Sequence, residues 1–442
     1  MPLSRRTGTI MKRTLGFWRC WALVVGSMIG NGVFMLPAVL APYGSYSLLG
    51  WLFAGAGTLF IAFTLGGLAR MLPRLGGPYA YTRAAFGRTP GFLIGWGHWI
   101  SYVTATGAGA VAFTGYLAFF LPGVAEQPLV SGLVAVALIW LMTGLNLSGV
   151  QGAGVFQLVT TLLKLLPLFL VASGGFLVGD VTSIPASNPD GSSMLAMIAT
   201  LVMITMWAYV GIENVTIPAD DVIEPRRTIP RALIVGAITA TVVYVVATLG
   251  VMALVPAEDL AVSTFPFADA AVVLFGGWGA ALIAGGAIVS IVGALNGNVL
   301  ATAQLSRAIA VDRMFPALFE RLNTRGVPGA GLVASGLFAT VLIGMNYTRG
   351  LVGAFELLIL VSTLTTLLPY ACSALAAIVL GRREEGADAP ATWVAVIALL
   401  FSLFAIAGSG LEVVIYGLGL LALGLPVLVL MRRQGSLDQE AG

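Results

Sequence analysis

Charged residues are scarce in this chain. Asp, Glu, Lys and Arg make up 9% of its 442 residues, whereas 58% of the residues are hydrophobic. Soluble domains carry about 25% charged residues. The composition therefore excludes a soluble domain and predicts a protein that crosses a membrane several times.

Histidine and cysteine are scarcer still, at one His and two Cys. Neither Cys20 nor Cys372 has a neighbour at metal-ligand spacing, which excludes a disulfide framework and a zinc site. A single His excludes most metal chemistry, and no acidic pair or serine–histidine arrangement indicates a catalytic centre. We therefore expect no enzyme activity, no metal and no cofactor, and no nucleic-acid partner.

Long apolar runs dominate the chain instead, and twelve of them are long enough to span a bilayer. Six lie at 17–42, 47–69, 91–121, 129–147, 153–178 and 194–217, and six at 231–255, 278–305, 328–347, 351–380, 392–410 and 413–431. Glycine accounts for 56 of the 442 residues, which suits closely packed membrane helices. The predicted fold class is an all-α polytopic membrane protein with twelve transmembrane helices.

Positive charge predicts the orientation of these helices. All but two of the 22 Lys and Arg residues lie around the start of the first span or in segments that follow even-numbered spans. Cytoplasmic segments carry an excess of Lys and Arg, so both termini are predicted to be cytoplasmic. The exceptions are Arg349 and Lys164. Met1 and Met11 are both candidate translation starts.

Two spans are interrupted by residues that disfavour a helix. The first contains the stretch from Gly26 to Gly32, with three glycines and Asn31. The sixth contains Gly211 and Asn214 after Trp207 and is followed at once by Pro218. Unwound backbone at membrane depth survives where it is buried in protein or lines a cavity. Interrupted helices in the two halves of a chain are typical of a transporter substrate site, whose free helix ends suit a carboxylate and an ammonium group. The alternative is that the glycines serve only close helix packing.

Two ionisable residues lie inside apolar spans, Lys164 in the fifth and Glu213 in the sixth. Charges at this depth are costly, so they usually face a cavity or a partner. A buried Lys is also a candidate proton carrier, because desolvation favours its neutral form. The alternative for each residue is an internal pair that only holds helices together.

Four motifs carry a resemblance to a known family. They are Gly-Ser-Met-Ile-Gly-Asn-Gly-Val-Phe with Leu-Pro at 26–37, Gly-Gly-Pro-Tyr-Ala-Tyr at 76–81 with Phe86-Gly87, Trp-Ala-Tyr-Val-Gly-Ile-Glu at 207–213, and Pro-Arg-Arg-Thr-Ile-Pro at 225–230 with Asp-Arg-Met-Phe-Pro at 312–316. From Gly16 to about Arg433, the chain resembles the amino acid–polyamine–organocation transporters. Within them it resembles the bacterial basic amino acid/polyamine antiporters, such as the arginine/agmatine exchanger.

The resemblance implies a LeuT-like fold with two inverted five-helix repeats, at 17–178 and 192–380, in a protein of the inner (cell) membrane. Helices at 392–431 lie outside the repeats and are expected to act as a scaffold or in a homodimer. The tails, 1–16 and 432–442, are expected to be cytoplasmic.

The resemblance also implies a substrate site at the two interruptions. The residues expected there are Met28, Ile29, Asn31, Gly32, Trp207 and Val210. Backbone N–H groups of Asn31 and Gly32 would hold a substrate carboxylate. Backbone carbonyls of Met28, Trp207 and Val210 would hold its ammonium group, and the Trp207 ring would cover the substrate.

Further residues are implied for gating and proton coupling. Glu213 matches a carboxylate that the antiporters use to sense pH or coordinate gating, and Tyr370 matches an aromatic residue of the pathway. Lys164 resembles a fifth-span lysine of proton-coupled and neutral amino acid members. The position of an aromatic gate is taken by His98, whose side chain could change charge near neutral pH. The alternative for His98 is a hydrogen-bonded packing residue.

The chain departs from the arginine/agmatine exchanger where the substrate side chain would bind. Asn298 replaces a tryptophan that stacks on the guanidinium, and Thr106 replaces a polar contact, while Ser362 is retained. Loss of the ring removes a cation–π contact and leaves the substrate side chain unassigned.

The predicted function is a secondary active transporter of amino acids, or an amino acid/amine exchanger, with protons as a candidate coupling ion. The alternative within this class is a proton-coupled neutral amino acid importer. The alternative from another class is a sensor or scaffold on a transporter fold, although the chain lacks a signalling domain or long tail. The expected partners are an amino acid or polyamine and the lipid bilayer.

Overall fold

A computed structural model describes residues 15–30, 33–72, 76–149, 153–216, 222–383 and 391–433, which are nearly all helical. The helices of the first half are α1 (Phe17–Met28), α2 (Leu36–Leu40), α3 (Ser47–Met71), α4 (Pro78–Phe86), α5 (Arg88–Ala118), α6 (Gly123–Glu126), α7 (Pro128–Leu147), α8 (Ala153–Val178) and α9 (Met194–Met206). Those of the second half are α10 (Pro225–Met252), α11 (Ala257–Val262), α12 (Pro266–Val311), α13 (Gly329–Asn346), α14 (Gly350–Arg383), α15 (Thr392–Ala407), α16 (Gly410–Ala422) and α17 (Gly424–Arg433). These ranges contain no β-strand, only isolated bridges that pair Leu15 with Val222 and Gly44 with Ala186.

Six helical stretches of the described chain are long and apolar enough to cross a membrane. They are α3, α7, α10, α12, the continuous stretch of α13 and α14, and that of α16 and α17. Helices α9 and α15 are apolar but shorter. Helix α5 has the length but is not among the six; it carries a row of polar side chains that includes His98, Ser101 and Thr106. The count of twelve spans and the inverted repeat stay predictions.

Both predicted interruptions are present. Helix α1 ends at Met28 and α2 begins at Leu36, with Ile29 in an extended conformation between them. Helix α9 ends at Met206 and continues as two short 3₁₀ turns, Trp207–Tyr209 and Ile212–Thr216. Gly211 separates these turns with a φ of +101°, a conformation that favours glycine. We call the segments 26–35 and 207–216 the first and second breaks.

Helix α1 is joined to the second break near its C-terminal end and to the chain just before α10 near its N-terminal end. At the breaks themselves, the Ser27 hydroxyl donates a hydrogen bond to the Gly211 carbonyl at 3.0 Å. At the other end of α1, the Ile223 N–H donates to the Leu15 carbonyl at 2.9 Å. Because each contact joins residues that are far apart in the chain, α1 and the second break form one packed unit.

Helix α5 packs against α4, α12 and α14. Its Gly91 and Gly95 lie one turn apart, and α4 lies directly on them. A Cβ atom on Gly91 would come within 2.9 Å of the Arg83 Cβ, and one on Gly95 within 3.0 Å of the Tyr79 ring. Only glycine permits so close an approach, so the seat of α4 on α5 is fixed by these two positions.

Helix α4 also binds the residue that follows α12. The Asp312 carboxylate accepts a hydrogen bond from the Tyr79 hydroxyl at 2.7 Å and pairs with the Arg83 guanidinium at 2.7 Å. The Arg88 guanidinium donates to the Asp312 backbone carbonyl at 3.1 Å. Burial, followed by the hydrogen bond to Asp312, raises the pKa of the Tyr79 phenol, so this hydroxyl remains a donor. Two of the motifs noted in the sequence thus meet in one polar cluster.

Replacing Asp312 with asparagine is expected to lower the melting temperature of the detergent-solubilised protein by about 2 °C. The change removes a partly exposed ion pair, which contributes about 1 kcal/mol, and keeps the side-chain shape. Differential scanning fluorimetry at low and high salt measures it, and salt should shrink the difference. The control is Arg227→Gln, which breaks only an exposed 3.9 Å contact with Glu224. Equal melting of Asp312→Asn and the parent protein at low salt would contradict the expectation.

Candidate functional site

The site is centred on the carboxylate of Glu213, which has no exposed surface. Its Oε1 atom lies 2.9 Å from His98 Nε2 and accepts from the Tyr102 hydroxyl at 3.3 Å. Its Oε2 atom accepts from the Tyr370 hydroxyl at 2.5 Å and from the Gly211 N–H at 3.1 Å. A buried carboxylate is stable only when its lone pairs are satisfied. Here α5, α14 and the second break all supply partners.

This arrangement joins three of the four residues predicted for gating and proton coupling, namely Glu213, His98 and Tyr370. The fourth, Lys164, lies on α8 with its side chain outside the described residues. His98 is 1% exposed, and its ring stacks on Tyr102 at a centroid distance of 5.0 Å. Its second ring nitrogen, Nδ1, is buried without a hydrogen-bond partner among the described residues. Among the described residues, His98 therefore contacts the site through the Glu213 carboxylate and the Tyr102 ring.

Tyr102 is a residue of this site that the sequence analysis missed. Its hydroxyl contacts two acceptors on the second break, Asn214 Oδ1 and the more distant Glu213 Oε1. The available signal was spacing: His98, Tyr102 and Thr106 are each four residues apart on α5, which places them on one helix face. Tyrosine is common in membrane helices, so that signal alone would not have selected it.

The same helix face continues into a second polar group. The Asn298 side-chain nitrogen on α12 donates to the Tyr102 backbone carbonyl at 3.0 Å and to the Thr106 hydroxyl oxygen at 2.9 Å. The Thr106 hydroxyl in turn donates to the Tyr102 carbonyl at 2.8 Å. Asn298 and Thr106, which were both predicted to lie at the substrate side chain, are therefore bonded directly to each other.

Ser362 belongs to a different contact. Its hydroxyl donates to the Ser101 backbone carbonyl at 3.0 Å, and the Ser101 hydroxyl donates to the Ser362 carbonyl at 3.1 Å. This reciprocal pair joins α5 to α14, and no hydrogen bond between described residues links it to Asn298. Its role in substrate binding stays a prediction.

Of the residues predicted to bind the substrate through their backbone, those that the structure describes lie at the two breaks. Met28 is the last residue of α1, and the N–H of Ile29 caps the helix by bonding to the Val25 carbonyl at 2.8 Å. The Trp207 carbonyl accepts from the Val210 N–H at 3.1 Å, which leaves its second lone pair for another donor. Asn31 and Gly32 lie outside the described residues.

The Trp207 ring is 5% exposed and meets Phe355 of α14 edge to face at 5.5 Å. Its indole nitrogen is buried, with no hydrogen-bond partner in the described part of the chain. A buried, unsatisfied donor of this kind costs about 1–3 kcal/mol. The ring is therefore better satisfied when an acceptor lies beside it.

In the ranges the structure describes, no group of three His, Cys, Asp or Glu side chains is placed to hold a metal ion. Glu213 is the single fully buried acidic side chain in those same ranges.

Comparison with known proteins identifies the family. Residues 15–416 match the family described as amino acid permease. The chain is 30% identical to the "Putative arginine/ornithine antiporter" of Bacillus subtilis (strain 168), over 96% of this chain and 98% of that protein. It is 26% identical to the putrescine transporter PotE of Escherichia coli (strain K12), over 91% and 92% of the two chains. It is 30% identical to the cadaverine/lysine antiporter of the same strain, over 81% and 82%.

The match spans most of the chain, and the described residues contain several helices able to cross a membrane. The chain therefore belongs to the amino acid permease family of the amino acid–polyamine–organocation superfamily, a family of multi-pass membrane transporters and not of enzymes.

Proposed function

We propose that the protein exchanges basic amino acids, or their amines, across the inner membrane by alternating access, with both termini in the cytoplasm. The observation that carries the proposal is the contact between the two breaks, Ser27 with Gly211, directly beside the buried carboxylate of Glu213. The names of the similar proteins, which include arginine, ornithine, lysine, putrescine and cadaverine, support this substrate class.

The breaks would hold the part that all amino acids share. Free N–H groups at a helix start attract a carboxylate, and free carbonyls at a helix end attract an ammonium group. In the proposed binding mode, Asn31 and Gly32 take the carboxylate, and the carbonyls of Met28, Trp207 and Val210 take the ammonium. Ile29 shapes the same turn.

The side-chain end of the proposed site favours a hydrogen-bond donor. Asn298 spends both N–H bonds on the Tyr102 carbonyl and on Thr106, and Thr106 spends its only proton on that carbonyl. Because a carbonyl only accepts, the orientation of the amide follows from this contact. What remains for a substrate is the Asn298 carbonyl oxygen and a Thr106 lone pair, both acceptors. Guanidinium and ammonium groups are donors, so they fit, whereas a carboxylate side chain does not.

The same proposal includes proton coupling through His98 and Glu213. Imidazole and carboxylate share one hydrogen bond in a site without exposed surface, so uptake or loss of a proton changes the net charge that α5 and the second break hold between them. Tyr370 of α14 supplies a further hydrogen bond to the Glu213 carboxylate. Lys164 is proposed as a second proton carrier, and repeats at 17–178 and 192–380 as the two units that move.

Counterflow in proteoliposomes tests this function. Vesicles loaded with unlabelled arginine, lysine, ornithine, putrescine, leucine, alanine or serine are diluted into buffer with the matching labelled compound, without sodium. Saturable exchange of the basic compounds is the expected result. Exchange of the neutral amino acids alone would favour the proton-coupled importer, and no exchange of any compound would favour a sensor or scaffold.

Replacing Asn298 with leucine is expected to raise the KM for a basic substrate about tenfold. The change keeps the number and branching of the side-chain heavy atoms but removes the acceptor oxygen, together with the amide's bonds to Tyr102 and Thr106. One hydrogen bond to a charged group is worth about 1.5–3 kcal/mol. Initial exchange rates against substrate concentration measure it. The control is Asn146→Leu, because Asn146 bonds to Asn296 on α12 at 2.7 Å and not to Asn298. An unchanged KM for Asn298→Leu would refute the acceptor role.

A further inference from the structure

Among the described residues, Tyr102 is the one whose hydrogen bonds reach both the Asn298–Thr106 pair and the Glu213 carboxylate. Its backbone carbonyl holds Asn298 and Thr106, and its hydroxyl holds Asn214 and approaches Glu213. We propose that Tyr102 is the positioning residue that links substrate binding to proton-dependent turnover. The inference rests on the exchange function proposed above.

The hydroxyl has one proton and two acceptors. The contact with Asn214 Oδ1 is the shorter one, and that with Glu213 Oε1 is 3.3 Å long. A carboxylate is a stronger acceptor than an amide when it is ionised and a weaker one when a proton neutralises it. The phenol therefore turns toward Glu213 when the carboxylate is ionised, and toward Asn214 when the carboxylate itself carries a proton.

The Asn214 side chain lies close to Ser27 and Gly211, whose hydrogen bond joins the two breaks. A Cβ atom on Gly211 would stand 3.3 Å from the Asn214 side-chain nitrogen and 3.2 Å from the Ser27 Cβ. Asn214 thus lies beside the contact that joins the two breaks. When Tyr102 holds Asn214, α5 is tied to the residue beside that contact; when Tyr102 turns to Glu213, the tie to Asn214 is released, while the hydrogen bond between His98 and Glu213 still joins α5 to the second break.

The other titratable groups around the carboxylate define what else could respond to pH. In the described part of the chain, these are His98 from α5, at 2.9 Å from Oε1, and Tyr370 from α14, at 2.5 Å from Oε2. Neither makes a hydrogen bond to Asn214 in the ranges described. Glu213 itself lies in the second break and accepts from the Gly211 N–H, and the Tyr102 hydroxyl is the described contact by which a proton on Glu213 changes the hydrogen bond to Asn214.

Tyr102→Phe separates the two roles, because it removes the hydroxyl and keeps the backbone carbonyl. We expect the KM for labelled arginine to stay within about twofold, the maximal exchange rate to fall about tenfold, and the rate to become flat across about pH 5 to 8. The measurement is arginine counterflow in proteoliposomes at a series of pH values. A merely structural hydroxyl would lower the amount of folded protein but leave the shape of the pH profile unchanged.

Two further variants keep the test decisive. Asn214→Ala removes the acceptor from the other side and should give the same flat profile, and the double variant should be no worse than either single one. Tyr116→Phe is the matched control: Tyr116 is a fully buried tyrosine on the same helix, bonded to the Phe34 carbonyl at 2.9 Å, and its loss should keep the parental profile.

If the parent exchanges arginine and Tyr102→Phe keeps the parental profile, this inference fails and the proposed function stands. If the parent exchanges none of the compounds, the proposed function fails and the inference falls with it.

Discussion

Replacing Glu213 with glutamine is expected to slow exchange about hundredfold and to remove most of its pH dependence. The carboxylate accepts hydrogen bonds from Tyr102, Tyr370 and the Gly211 N–H and lies against the His98 ring. A glutamine offers one acceptor oxygen and a donor NH₂ group, so its nitrogen must face groups that themselves donate. A hundredfold loss corresponds to about 2.7 kcal/mol, which is within the range for one charge-assisted hydrogen bond and an unsatisfied partner.

Exchange rates from about pH 5 to 8, together with size-exclusion chromatography, measure this effect. Glu412→Gln is the control, since Glu412 pairs with Arg349 at 2.7 Å on the exposed surface and exposed pairs contribute little. A monodisperse Glu213→Gln protein with the parental pH profile would refute the coupling role. A protein that aggregates would show instead that the hydrogen bonds around the Glu213 carboxylate are needed for folding.

Replacing Gly211 with alanine is expected to abolish exchange while the protein still inserts and folds. Two effects act together at this position. A φ of +101° strains any residue with a side chain, at a cost of about 1–3 kcal/mol. The new Cβ would also press on Ser27 and on the Asn214 side chain, and so separate the two breaks where the substrate is proposed to bind.

Gly276→Ala distinguishes strain from contact. Gly276 also has a positive φ, of +69°, but no atom of the described residues, apart from its neighbours in its own helix, lies within 4 Å of a Cβ built there. Both variants should melt at a lower temperature than the parent, and only Gly211→Ala should lose counterflow of labelled arginine. Equal activity of the two variants would show that the Ser27–Gly211 contact is not required for transport.

Much of the architecture could be predicted from the sequence because membrane insertion depends on simple properties. Apolar runs predicted the helices, and glycine, asparagine and proline in or directly after two of those runs predicted interruptions at Gly26–Gly32 and after Trp207, where the first and second breaks lie. Glu213 was recognisable because an acid in an apolar span needs a partner. The bounds of α12 were not: its first turns, from Pro266 to the bend at Gly276, precede the predicted span and include Asp269.

The contacts inside the site were less predictable, because they depend on which side chains meet between helices. His98 was left open between gating and packing, and only the fold places its ring on Glu213. Tyr102 gave no clear signal, since its role depends on a backbone carbonyl and on Asn214, which is distant in the chain. The acceptor character of Asn298 likewise follows from a hydrogen bond to a carbonyl on another helix.

The pairing of Leu15 with Ile223, and of Ser27 with Gly211, also sets an order for biogenesis. Ribosomes synthesise about 5–20 residues each second, so roughly 10–40 s separate the emergence of α1 from that of its partners. During this interval the first helix must remain in the membrane with its polar turn uncovered. Contact between the two breaks therefore waits for the sixth predicted span, and the complete site waits for Asn298 of α12 and Tyr370 of α14.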